Sequence, residues 1–191
     1  MKSSFASRYI PAIAIGVVFT IAAGYEIIRE NGDEATQWQI SLASHEESGE
    51  RMVVNGIVFN EKNDAPISGA EVYVYHTDKD GYYNRENGSR GTRPRLKGTM
   101  LTNGGGRYEY HTIKPGPYPD SRIAAHVHYV VSARGFAERK LELVFEGDPY
   151  LSDRMRSDTK HPSGFFQIRE LKKDEKGVLF CELNVALKPE E

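Results

Sequence analysis

The 191-residue sequence holds a single cysteine, Cys181, which excludes any disulfide within the chain. It has almost no surplus of charge: 25 basic against 27 acidic residues leave a formal net charge of −2. That balance argues against a nucleic-acid partner and against a dominant electrostatic surface. Helix-length periodic stretches are nearly missing beyond the N-terminus, and there is no internal repeat or low-complexity tract. Turn and strand chemistry is plentiful instead, with 18 glycines, 9 prolines and 11 tyrosines. A hydrophobic content of 39% is enough to bury one sizeable core.

One uncharged run, residues 9–25, follows Lys2 and Arg8 and ends at Glu26. As a helix it would span about 25 Å, with Tyr9 and Tyr25 at its ends as interfacial anchors. With its basic flank and lack of a polar face, residues 1–25 read as a hydrophobic signal peptide or transmembrane anchor helix, with the bulk of the chain exported to the periplasm or cell surface. Residues 26–51 are polar and charged and read as a tether. Residues 52–191 remain as one domain, with oligomeric state left open.

Within that domain, apolar and β-branched runs bounded by turn residues predict about eight strands: 53–60, 70–76, 99–102, 107–112, 123–132, 140–145, 165–172 and 178–187. The fold class that follows is all-β, an antiparallel β-sandwich whose loops supply the site. In the last strand Leu179, Cys181, Leu183, Val185 and Leu187 share one face, so the thiol sits among apolar side chains and is inert. The longest connection, residues 77–97, is dense in Asp, Gly, Asn and Arg, and a loop of that length in a compact domain is expected to be functional or disordered.

Residues 107–131 concentrate the chemistry. On a strand, residues two apart point to one face, so His126 and His128 project together while Val127 and Tyr129 face a core. Upstream, Pro115-Gly116-Pro117-Tyr118-Pro119 holds Tyr118 by backbone stiffness. Tyr82 and Tyr83 follow Asp80-Gly81 at the start of the long loop, and either one would complete a set of two phenols and two imidazoles. Two anionic phenolates with two neutral imidazoles suit a hard, highly charged ion such as Fe(III) better than Zn²⁺. His76, at the head of the long loop, is a further candidate to line the site. His45, His111 and His161 read as tether, surface and loop residues. Asp78-x-Asp80-Gly81 has the opening of a calcium loop without the downstream carboxylates.

With these residues in place, the stretch from about Asn55 to Asp148 resembles the intradiol ring-cleavage dioxygenases, the family of catechol 1,2-dioxygenases and protocatechuate 3,4-dioxygenases. The resemblance is carried by an ordered set: Gly56-Ile57-Val58, Ala65-Pro66-Ile67-Ser68-Gly69-Ala70-Glu71-Val72, Asp80-Gly81-Tyr82-Tyr83, Thr112-Ile113-Lys114-Pro115-Gly116-Pro117-Tyr118-Pro119, Ala125-His126-Val127-His128 and Phe145-Glu146-Gly147-Asp148-Pro149. It implies a non-haem Fe(III) cofactor bound by Tyr83, Tyr118, His126 and His128, with Tyr83 preferred over Tyr82. It further implies catalytic roles for Tyr118 and Arg122, a small aromatic diol and O₂ as substrates, and a muconate-type dicarboxylate as product. Three departures are visible. Ile123 stands where the family carries an arginine, and Arg122 is the nearest guanidinium. Glu142 replaces a glutamine, and Asp120 replaces a tryptophan. The strand grammar is also similar to that of transthyretin-like and carboxypeptidase-regulatory domains, which would make the chain a non-catalytic binding module at the cell surface.

Overall fold

The computed structural model describes residues 37–85 and 93–190. The N-terminal run, the first part of the tether and the middle of the long loop lie outside the described residues. In chain order the elements are β1 (Gln39–Ser41), β2 (Arg51–Asn60), β3 (Glu71–His76), β4 (Leu96–Leu101), β5 (Arg107–Ile113), β6 (His126–Ala133), β7 (Phe136–Phe145), α1 (Asp153–Asp158), β8 (Phe166–Arg169), β9 (Lys172–Lys173), β10 (Leu179–Glu182) and β11 (Val185–Leu187). They form two sheets. One runs β1-β5-β2-β10-β9 with β11 also on β2, and the other runs β4-β3-β6-β7-β8.

The sandwich is legible in the alternation of side chains. Met52, Val54, Val58, Tyr108 and Tyr110 of the first sheet meet Val72, Val74, Val127, Tyr129, Val131, Leu141 and Leu143 of the second, all of them buried in one apolar cluster. Two phenols are satisfied inside it: Tyr108 donates to the Leu183 carbonyl at 2.5 Å, and the Tyr110 and Tyr129 hydroxyls lie 2.6 Å apart. Cys181 is buried here too, and burial pushes its thiol up to about 11, so it stays protonated and inert as the alternation predicts.

The structure departs from the sequence reading in four places. The sandwich is not purely antiparallel, because β1 on β5, β10 and β11 on β2, and β8 on β7 pair in parallel. Long connections allow the chain to cross over and return in the same direction, which no local pattern announces. Residues 37–51, read as the end of a tether, contribute β1, whose polar Gln39 and Ser41 flank one half-buried Ile40. The strand expected over 178–187 is broken into two by Leu183 and Asn184. The Leu183 carbonyl faces Gly56, where any Cβ would stand 1.9 Å from it, and Asn184 Oδ1 accepts from the Ile57 amide at 2.8 Å. The short α1 was too brief for periodicity to reveal. It is capped by Ser152, whose hydroxyl accepts from the Met155 amide, and it packs Met155 over Val144 and Ala124.

Candidate metal centre

The site is built on the outer face of the second sheet, opposite the core. Register places Tyr75 across from His128 and His128 across from Glu142. Lys97 lies beyond Tyr75 on β4 and Phe166 beyond Glu142 on β8, so one row of side chains crosses all five strands. Tyr75 stacks on the His128 ring, with centroids 4.4 Å apart and planes at 17°. His126 sits two residues earlier on the same face, across from Val144. Ala124, Val144 and Met155 form an apolar cluster on that side of the site, and His126 is buried.

Two loops bring phenols over this face, and they are locked back to back by close glycine approaches. A Cβ on Gly81 would stand 1.9 Å from the Pro117 carbonyl, and one on Gly116 would stand 2.3 Å from the Lys79 carbonyl. The Gly116 amide donates to the Asp78 carbonyl at 2.9 Å, and the Thr77 hydroxyl donates to the Gly116 carbonyl at 2.8 Å. Asp78 folds the first loop by accepting the amides of Asp80 and Tyr82 at 3.0 Å each. Its carboxylate therefore serves an Asx-type turn. The Tyr118 loop closes on Ser121, whose hydroxyl donates to the Tyr118 carbonyl at 2.8 Å, with Asp120 at φ 59° in the turn.

Two phenol oxygens and two ring nitrogens meet. The Tyr83 hydroxyl is hydrogen-bonded to the Tyr118 hydroxyl and lies 2.8 Å from His128 Nε2. The Tyr118 hydroxyl is 3.3 Å from that nitrogen, and His126 Nε2 is 3.0 Å from it. Oxygen and nitrogen donors bound to one small cation at about 2.0–2.2 Å stand about 2.8–3.6 Å apart in octahedral to tetrahedral arrangements. The three separations from His128 Nε2 fall in that range, and the two hydroxyls stand closer to each other than it requires.

Protons are placed by the partners. His126 Nδ1 is 2.7 Å from the Ala124 carbonyl, which only accepts, so Nδ1 carries the hydrogen. His128 Nδ1 is 3.2 Å from a Glu142 carboxylate oxygen, which fixes the same tautomer. Two imidazole lone pairs are thus aimed at one another, an arrangement that a cation between them relieves. Burial lowers the His126 pKa, which keeps the ring neutral and its lone pair free. Burial and the bond with Tyr118 raise the Tyr83 pKa. Burial also raises that of Tyr118, against the bond from Tyr83 and with the Glu142 charge. Without a cation both phenols hold their protons, and a trivalent ion inverts that balance. The donor set therefore fits Fe(III), the cofactor the sequence suggested.

The structure brings Tyr83, Tyr118, His126 and His128 together. Tyr82 instead lies under the Arg85 guanidinium, 4.5 Å from its ring centre. Arg122 is exposed and makes no hydrogen bond or ion pair with another described residue. His76 does not line the site. It is fully buried between the sheets, with Nδ1 on the Thr77 carbonyl at 2.6 Å and Nε2 on the Thr112 hydroxyl at 2.7 Å. The alternation that turns Val72 and Val74 inward carries His76 with them, so that signal was present in the sequence. Sequence reasoning missed Tyr75, Asp78 and Asp148 as supports; Asp148 Oδ2 accepts the Ala125 amide at 3.0 Å and pins the approach to His126.

Comparison with known families agrees with this geometry: a family model described as Dioxygenase matches residues 28–176. The chain belongs to the intradiol dioxygenase family. That assignment favours the enzyme family over a transthyretin-like module. Among curated relatives it is similar to chlorocatechol 1,2-dioxygenase of Rhodococcus opacus, 30% identical over 132 residues that cover 60% of this chain and 51% of the relative. The chain spans about half the length, or less, of the curated relatives it matches. In fold it is similar to catechol 1,2-dioxygenase from Pseudomonas arvilla C-1, with a TM-score of 0.66 at 22% identity, covering 81% of this chain and 57% of that one. It is also similar to the dioxygenase domain of a dioxygenase carbohydrate-binding protein fusion from Streptomyces sp. SirexAA-E. There the TM-score is 0.59 at 20% identity, covering 84% of this chain and 96% of that one.

Proposed function

We propose that this chain is a non-haem Fe(III) enzyme that cleaves a catechol-type aromatic diol with O₂ between its two hydroxyl-bearing carbons, giving a muconate-type dicarboxylate. The observation that carries the proposal is the convergence of two phenol oxygens and two imidazole nitrogens, from three separate elements, on one point.

Tyr83, Tyr118, His126 and His128 would hold the iron. Its bound charge would make the ring diol acidic and its carbons reactive toward O₂. The remaining roles belong to the protein. His126 and His128 are held in one tautomer by the Ala124 carbonyl and the Glu142 carboxylate, so they donate without rearranging. Tyr118, on the proline-flanked loop, would be the phenolate that accepts a proton from the entering diol, the role the family resemblance gives it; its oxygen lies 3.3 Å from His128 Nε2, against 2.8 Å for that of Tyr83. Tyr75 fixes the His128 ring plane from behind. Arg122, close in sequence to Tyr118 and exposed, remains a candidate to meet the substrate at the mouth. The basic flank and uncharged run of residues 9–25 support export, with the domain working outside the cytoplasm, anchored or released. Among the described residues no helix is long and apolar enough to cross a membrane.

Metal analysis combined with a visible spectrum, before and after adding catechol, tests the reading. The expected result is one iron per chain and a tyrosinate-to-iron absorption band that shifts with catechol, followed by loss of catechol and O₂. Tyr83→Phe and His126→Ala should each abolish the band. One tight iron with no catechol cleavage would reduce the protein to a metal-binding relative, and no iron uptake would end the proposal.

A further inference from the structure

Glu142 is the one carboxylate that the row across the second sheet delivers to the centre. Its oxygen and the ring nitrogens of His126 and His128 all lie within 4.8 Å of one another. Its side chain keeps only 15% of its exposure, and that of His128 keeps 20%, so both are shielded yet still touch solvent. The His128 Nδ1 hydrogen faces its carboxylate at 3.2 Å, so Glu142 is the accepting, anionic member of that pair. Among the described residues its only ion-pair partner is His128, and no lysine or arginine lies within 4.0 Å of it. The cation on the same row, Lys97, is three strands away, about 14 Å at ordinary strand spacing and beyond the reach of an unscreened pairing. A fixed negative charge thus stands beside the donors with no counter-charge of its own.

The consequence falls on the substrate's substituents more than on its diol. A neutral catechol that leaves its two protons with bases of the site adds no net charge to the centre. A ring diol that carries a carboxylate adds one negative charge, and Glu142 opposes it. We propose that Glu142 determines substrate specificity here, positioning His128 and selecting neutral ring diols over diols that bear a further anionic group. This rests on the ferric dioxygenase reading above. Two like charges about 8 Å apart, the width of a substituted ring, change binding by roughly 30-fold at an effective dielectric near 20, and partial exposure trims that to about tenfold.

The test is a binding titration on iron-loaded protein at one fixed pH without O₂, read by the shift of the tyrosinate-to-iron band, for wild type, Glu142→Gln and Arg122→Gln. The ligands are 3,4-dihydroxybenzoate and its methyl ester, which share a shape and differ in charge. Glutamine keeps the length of the side chain and an oxygen to accept from His128, so the fold and the band should survive. Wild type should prefer the ester, and Glu142→Gln should shrink that preference by about tenfold. An unchanged ratio in Glu142→Gln, a parallel change in both affinities, or a ratio that moves only in Arg122→Gln would overturn the assignment. Absence of any band in wild type would instead overturn the ferric reading and this inference with it.

Discussion

Replacing Gly116 by alanine should damage the centre without touching any of its four donors. The added Cβ would stand 2.3 Å from the Lys79 carbonyl oxygen and 2.8 Å from the Gly81 nitrogen, both backbone atoms that cannot swing aside. Reaching ordinary contact requires the two loops to part by about 1 Å. Two hydrogen bonds cross that contact, Gly116 amide to Asp78 carbonyl and Thr77 hydroxyl to Gly116 carbonyl, at 2.9 and 2.8 Å. Losing or stretching them and relieving the overlap should cost about 2–3 kcal/mol, a fall in Tm of roughly 5–10 °C for a domain of this size. Tyr118 lies two residues beyond Gly116, so its oxygen should leave Tyr83 by a similar distance and iron affinity should fall about a hundredfold. Thermal melting, iron stoichiometry and the visible band measure the three effects. Gly147→Ala is the control: residue 147 sits at φ 83° and an added Cβ there would meet nothing within 4 Å, so the change should cost about 1–2 kcal/mol of backbone strain and leave the band unchanged. A Gly116→Ala protein with full iron and an unshifted band would refute the claim that the glycine contact sets the tyrosines.

Three further outcomes are expected. His76 has its pKa lowered to about 4 by burial, so below its ordinary value of about 6.5 the unfolded chain binds the extra proton. Its contribution is whole above pH 6.5 and is lost as pH falls toward 4, about 2 kcal/mol by pH 5. Denaturant melts at pH 7 and pH 5 should show this, and His76→Gln should flatten the difference. Tyr108→Phe removes the donor to the buried Leu183 carbonyl and should cost about 1–2 kcal/mol in denaturant melts while leaving iron binding intact, because that contact lies on the core side of the sandwich. Stripping the metal with a chelator should erase the band and lower the Tm, since an ion present at about 100 times its Kd adds about 2.7 kcal/mol to the folded state; a melt indifferent to chelator would contradict a resident ion.

Whatever depends on the two-residue period of a strand could be read from the chain alone. His126 and His128 share a face, Val127 and Tyr129 turn inward, Cys181 is buried among leucines, and prolines stiffen the backbone around Tyr118. The same period also placed His76 inward, although its position at the head of a loop suggested the site. Tertiary structure decided what depends on register between distant strands and on loop closure. It set Tyr83 rather than Tyr82 at the centre, aligned Glu142 with His128, and made Asp78 the clasp of the first loop. It also drew residues 39–41 into a sheet edge. Alternation is written into each residue's own backbone and can be read locally. Convergence depends on which strands lie side by side and by how many residues they are offset, and only the packed core sets that.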